Sequence, residues 1–121
     1  MADVLCVSSG TAAIKVALKA LGIGRGDEVI TQSFNFIATV EAIIDTGANV
    51  VFTDVDDTLN MCPKNLESLI SKKTKAIIPV HMLGVPADMI LINRIGKRNK
   101  IPVVEDACEA IGAKVAGQYV G

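Results

Sequence analysis

Short β-branched runs alternate along this chain with longer stretches of helical period. Residues 4–7, 28–31, 49–54, 75–80 and 102–106 are nearly continuous in apolar character, as expected of parallel strands covered on both faces. Between them, apolar positions recur at helical spacing near 12–21, 36–45, 63–71 and 88–98. Gly22 and Gly47 stand as stops to the first two helices, and Pro63 opens the third. The alternation predicts an α/β fold, a three-layer sandwich with a mostly parallel sheet between helices. The final stretch, 112–121, reads as a hairpin cut short.

Composition narrows the class. A chain of 121 residues is the size of one domain, with one core and no interdomain linker. Half of the residues are hydrophobic and the mean hydropathy is +0.45, but Lys, Asp or Gly interrupts every apolar run short of the ~18 residues of a membrane span. Twelve basic residues against thirteen acidic ones give a net charge of −1 without blocks, so neither nucleic acid nor a membrane surface is an expected partner. Cys6, Cys62 and Cys108 have no Cys-x-x-Cys spacing and His81 is the single histidine, which points to reduced thiols in a cytoplasmic protein. The N-terminal Met-Ala-Asp does not open a secretory signal.

In a sheet of this kind ligands bind at the carboxyl ends of the strands, so the residues just after each strand are the candidates for chemistry. The run Ser8-Ser9-Gly10-Thr11-Ala12 joins the first apolar run to the first helix. Small residues and free helix N–H groups suit a phosphate there, and a plain helix cap by Ser9 or Thr11 is the simpler alternative. The segment is not Gly-x-Gly-x-x-Gly and carries no Gly-Lys-Thr, which excludes the dinucleotide fingerprint and the nucleotide P-loop. Phe34 and Phe36 share one turn after the second strand, where a ring can stack on an aromatic cofactor or plug the core. Asp106 closes an apolar strand, so its charge must be met by helix N–H groups, a cation or a ligand; a pyridinium nitrogen is one such ligand. Glu109 lies three residues on, on the same face if a helix starts at once.

Two further groups have simpler readings. His81 after the fourth strand fits a general base or a hydrogen-bonded structural residue. Asp54, Asp56 and Asp57 suit Mg²⁺, but Asp57-Thr58-Leu59-Asn60 reads first as a turn leading to Pro63.

Taken in order, Ser8–Ala13, Gly24-Arg25-Gly26-Asp27-Glu28-Val29-Ile30, Ser33-Phe34-Asn35-Phe36-Ile37-Ala38-Thr39, residues 74–81, Ala87-Asp88-Met89 and Val104-Glu105-Asp106-Ala107-Cys108-Glu109-Ala110 resemble the pyridoxal-phosphate-dependent sugar aminotransferases, nearly end to end. The resemblance implies part of the large domain of a fold-type I pyridoxal-phosphate enzyme, residues 1–121 forming a single partial domain. It assigns Gly10 and Thr11 to the cofactor phosphate, Phe36 to stacking on the pyridine ring and Asp106 to the ring nitrogen. Glu109 falls where the family has Gln, His or Glu facing the ring. It also implies a cytoplasmic homo-oligomer, a homodimer, that moves an amino group from glutamate to a nucleotide-linked keto sugar for polysaccharide or antibiotic synthesis.

The family's Schiff-base lysine lies in a serine-containing loop beyond the Asp106 segment, and no lysine of this chain stands in that context. The expectation is therefore a fragment that is inactive alone, with no catalytic residue of its own. The resemblance also pairs residues 4–7 with late strands, so this run is expected to re-pair onto the free sheet edge, giving a five-stranded flavodoxin-like sandwich, or to associate with a second copy. Two other readings remain: a non-catalytic α/β binding or regulatory domain, and a related pyridoxal-phosphate sugar dehydratase. A receiver module is disfavoured by Ser8-Ser9-Gly10 where paired acids belong.

Overall fold

The computed structural model describes residues 4–121. Four helices alternate with three parallel strands: α1 (Gly10–Ala20), β1 (Glu28–Gln32), α2 (Ile37–Ile44), β2 (Asn49–Thr53), α3 (Pro63–Leu69), β3 (Thr74–Ile78) and α4 (Met89–Asn99). A short antiparallel pair, β4 (Lys114–Val115) and β5 (Gln118–Tyr119), forms the C-terminal hairpin. The strand order is β2-β1-β3, with β1 paired in parallel to both neighbours.

Alternation along the strands divides the core into two layers. Val29, Ala76 and Ile78 pack on one face with Ile14 and Leu18 of α1 and Ala42 and Ile43 of α2. Ile30 and Ile77 face the other way, onto Leu66 of α3 and Met89, Ile92 and Ile95 of α4. This is the three-layer sandwich that the periodicity predicts. The helix boundaries follow local chemistry: Ser9 caps α1, Asp88 caps α4 by accepting the Leu91 N–H at 3.0 Å, and Pro63 opens α3. Gly22 and Gly47, at φ +72° and +86°, turn the chain out of α1 and α2 in the left-handed region.

Two expected strands are absent. Residues 4–7 form no strand, and Val4 and Leu5 are 85% and 74% exposed. The re-pairing expected of this run onto the sheet edge, and with it the five-stranded sandwich, does not occur. A strand needs a neighbour for its N–H and C=O groups, and this segment pairs with none of the described strands.

The second case is residues 102–106, which touch β3 only through the isolated parallel bridges Ile77–Val103 and Val80–Asp106. The bonds of a parallel ladder run from the Ile77 N–H to the Pro102 carbonyl, the Val104 N–H to the Ile77 carbonyl, the Asp106 N–H to the Pro79 carbonyl and the His81 N–H to the Asp106 carbonyl. The missing rung is the one that Pro79 would donate, and proline has no N–H. The same residue ends β3 at Ile78, two positions before the predicted boundary.

The carboxyl ends of the strands are stapled by buried polar side chains. Gln32 accepts the N–H groups of Met61 and Val80 on Oε1 (3.1 and 3.0 Å) and donates from Nε2 to the carbonyls of Phe34 and Leu59 (3.0 and 3.2 Å). Asn60 accepts the Met82 N–H and donates to the Val85 carbonyl and Thr58 hydroxyl. These bonds hold the loops that frame the site. Among the described residues, no helix is long and apolar enough to cross a membrane.

Candidate functional site

At the start of α1, Ser9 Oγ accepts the Ala12 N–H at 3.2 Å and the Ser9 carbonyl accepts the Ala13 N–H at 3.0 Å. Ser9 is thus the cap, while the N–H groups of Gly10 and Thr11 are left without an intrahelical partner. The absence of a side chain at Gly10 admits a close neighbour. A Cβ there would stand 2.5 Å from Cys108 Sγ, so glycine lets the turn after Asp106 close on the helix start.

Phe36 is the extended residue that precedes α2, at φ −75° and ψ 138°, and its side chain is 65% exposed. Phe34 is also exposed, so neither ring plugs the core. Asp106 is the opposite case, a carboxylate only 6% exposed. Its Oδ2 accepts the Thr39 hydroxyl at 2.7 Å and its Oδ1 accepts the Cys108 N–H at 3.2 Å. Among the described residues no cation pairs with it. No helix starts at Asp106; two successive turns follow it, closed by the Ala110 N–H on the Ala107 carbonyl and the Ala113 N–H on the Ala110 carbonyl. Asp106 therefore caps a turn, and Glu109 does not share a helical face with it. Glu109 instead accepts the Leu83 N–H on Oε2 at 3.0 Å, which ties down the 3₁₀ turn Met82–Gly84.

These pieces enclose a cavity of about 250 Å³ at the carboxyl ends of the strands. Gly10, Thr11, Phe36, Asp106 and Glu109 all line it, together with Ile14, Ala38, Val80 and Cys108. Hydrogen bonding to Asp106, then burial and the charge of the same carboxylate, push the Cys108 thiol up to about 11 from the usual 9.0. Chemically the cavity offers an uncompensated negative charge at depth, an exposed aromatic face and two free N–H groups at a helix N-terminus. A flat cationic ring bearing an anionic tail matches that set.

The other candidates fall outside the cavity. His81 is fully buried; its Nδ1 accepts the Ala87 N–H at 3.0 Å, which puts the ring proton on Nε2, 3.0 Å from Glu105 Oε2. With both nitrogens engaged it is a structural residue and not a base. Asp56 accepts the N–H and hydroxyl of Thr58, and Asp54 accepts from Asn65, so these aspartates shape the turn before α3.

Sequence reasoning gave no role to Thr39 or to Gln32, both fully buried. For Thr39 a signal existed: it shares the buried face of α2 with Ala42 and Ile43, where a lone hydroxyl needs a partner.

The sequence model of the DegT/DnrJ/EryC1/StrS aminotransferase family matches residues 1–121. The chain belongs to this family. Similar solved structures agree. A 3-amino-5-hydroxybenzoic acid synthase is 39% identical with a TM-score of 0.92, over 94% of this chain and 30% of its own. NtdA of Bacillus subtilis, solved with bound cofactor PMP, is 42% identical with a TM-score of 0.87, over 93% of this chain and 26% of its own. Spr1654 of Streptococcus pneumoniae, named as a candidate sugar aminotransferase and solved in a PLP form, is 32% identical with a TM-score of 0.85, over 91% of this chain and 32% of its own. This member of the DegT/DnrJ/EryC1/StrS family thus spans about a third or less of the solved structures it resembles.

Proposed function

We propose that the cavity is the pyridoxal-phosphate site of an aminotransferase that moves an amino group from glutamate to a nucleotide-linked keto sugar. The observation that carries this reading is Asp106, a buried carboxylate with no cation, lining one cavity with the exposed ring of Phe36 and the free N–H groups at the start of α1. Members of this aminotransferase family use pyridoxal phosphate. Gly10 and Thr11 would hold its phosphate, Phe36 would stack on its ring, Asp106 would pair with the ring nitrogen and Glu109 would face the ring. When bound, the cofactor supplies an electron sink, and a fixed negative charge beside its ring nitrogen favours the protonated ring that makes the sink effective. The sugar substrate rests on the sequence resemblance and on the candidate assignment of Spr1654.

Among the described residues no lysine lines the cavity. In this reading the cavity residues hold and orient the cofactor, and transamination needs an amine nucleophile and base in addition to them. The same reading makes the 121 residues one partial domain of a cytoplasmic homodimer that serves polysaccharide synthesis.

The test is a fluorescence titration of the chain with pyridoxal phosphate. Saturable binding that disappears in Asp106→Ala, with no amination of a nucleotide-linked keto sugar in the presence of glutamate, is expected. A chain that binds no pyridoxal phosphate, or an Asp106→Ala variant that binds as well as the parent, would defeat the reading.

A further inference from the structure

The Asp106 carboxylate poses a physical problem. At 6% exposure it has lost most of its hydration, and a buried charge of this kind is normally neutralised by a cation. Here the donors are neutral: the Thr39 hydroxyl at 2.7 Å on Oδ2 and the Cys108 N–H at 3.2 Å on Oδ1. The 2.7 Å distance to Thr39 falls within the range for a hydroxyl on an ionised oxygen, about 2.5–2.7 Å. Neutral donors fix where the oxygens point but leave the net charge unspent. A carboxylate has about four acceptor sites. The Cys108 thiol, which also hydrogen-bonds to this carboxylate, takes a third, and the remaining one is free for a donor in the cavity that Asp106 lines.

Thr39 has no other visible task. It is fully buried, it does not line the cavity, and its hydroxyl reaches across 67 residues of sequence to one atom. Its backbone N–H donates to the Phe36 carbonyl at 3.2 Å, within the first turn of α2. One helical turn therefore carries the aromatic face of the cavity at one position and the clamp on its carboxylate three residues later. Any shift of α2 moves both together.

We propose that Thr39 is a positioning residue, holding Asp106 so that its open oxygen meets the protonated ring nitrogen of a pyridine-type cofactor in register with Phe36. The inference rests on the cavity reading above. It adds that the geometry of the carboxylate, and hence the protonation of the bound ring, is set by a hydroxyl that never touches the ligand.

The probe is pyridoxamine 5′-phosphate labelled with ¹⁵N in the ring, a ligand that requires no lysine to bind. In Thr39→Val, or in Thr39→Ala should the valine variant fail to fold, affinity falls by ~10-fold, the scale of one hydrogen bond to a charged group. The bound ring-nitrogen signal also moves toward the unprotonated position. Thr39→Ser, which keeps the hydroxyl, restores both. A purely structural threonine would change the urea midpoint and leave the ring-nitrogen signal alone. A folded Thr39→Val with the affinity and ring-nitrogen signal of the parent overturns the proposal while leaving the cavity reading intact. A parent chain that does not bind the probe defeats the cavity reading and this proposal with it.

Discussion

Gly96 of α4 lies so close to Val103 that a Cβ at position 96 would stand 2.8 Å from Val103 Cγ2 and 2.9 Å from the Ile101 carbonyl oxygen. The contact sets how near α4 comes to the segment that ends in Asp106, and the Ile101 N–H seals it on the Gly96 carbonyl at 2.9 Å. Helix propensity alone favours alanine over glycine by about 1 kcal/mol. Overpacking a tight contact that includes backbone costs about 1–3 kcal/mol, so the steric effect wins. Gly96→Ala is expected to lower the urea midpoint. Gly24→Ala is the control, because its nearest neighbour stands at 3.8 Å. A Gly96→Ala chain more stable than the parent would refute the close packing.

Gln32 is the second such test. Its amide serves four backbone groups, two as acceptor and two as donor, drawn from three loops. Gln32→Glu keeps the shape and the acceptor but removes both donated bonds, leaving the carbonyls of Phe34 and Leu59 facing a carboxylate. Loss of about 1–3 kcal/mol is expected from the unmet groups, read as a lower urea midpoint at unchanged slope.

The contrast between Gln32 and Asp106 explains how much was legible beforehand. Asp106 and Phe36 come after runs that pair in parallel, where the positions after the strands converge, and Gly10 opens a helix after small residues, so local pattern sufficed to name them as candidates. Gln32 also follows a strand, but its worth depends on which loops meet it, and that is set by strand order. Thr39 is the same case, its partner lying 67 residues away. Residues 4–7 failed for a related reason: apolar β-branched character says that a run can be a strand, whereas pairing depends on a neighbour elsewhere in the chain. Pro79, in contrast, was a local signal in plain view, for its missing N–H both shortens β3 and interrupts the ladder to residues 102–106.

Phe36 separates binding from folding. Its ring is 65% exposed, so Phe36→Ala should leave the urea midpoint within about 0.5 kcal/mol of the parent. Loss of the stacking face should weaken pyridoxal phosphate binding by roughly 0.5–1.5 kcal/mol, a few-fold to about tenfold by titration. Phe36→Tyr should bind like the parent. Undiminished affinity in Phe36→Ala would remove the ring from the site.

Cys108 supplies the pH-dependent prediction. Its thiol is held up to about 11 from an ordinary 9.0, first by its hydrogen bond to Asp106, then by burial and the charge of that carboxylate. Cys108 is nevertheless exposed, as is Cys6. Thiolate is the reactive form, so at mildly alkaline pH Cys108 should alkylate with iodoacetamide more slowly than accessibility alone dictates. Its rate should rise toward a midpoint near 11, and Asp106→Asn should bring that midpoint back toward 9.0. The same shift fixes a sign for stability. Between about 9 and about 11 the folded chain keeps a proton at Cys108 that the unfolded chain has released, so stability falls as pH rises through that window and is unaffected by this group below it. Cys108→Ala should flatten that part of the stability profile. A Cys108 that alkylates with a midpoint near 9.0 in the parent would show that Asp106 does not hold the thiol in its protonated form.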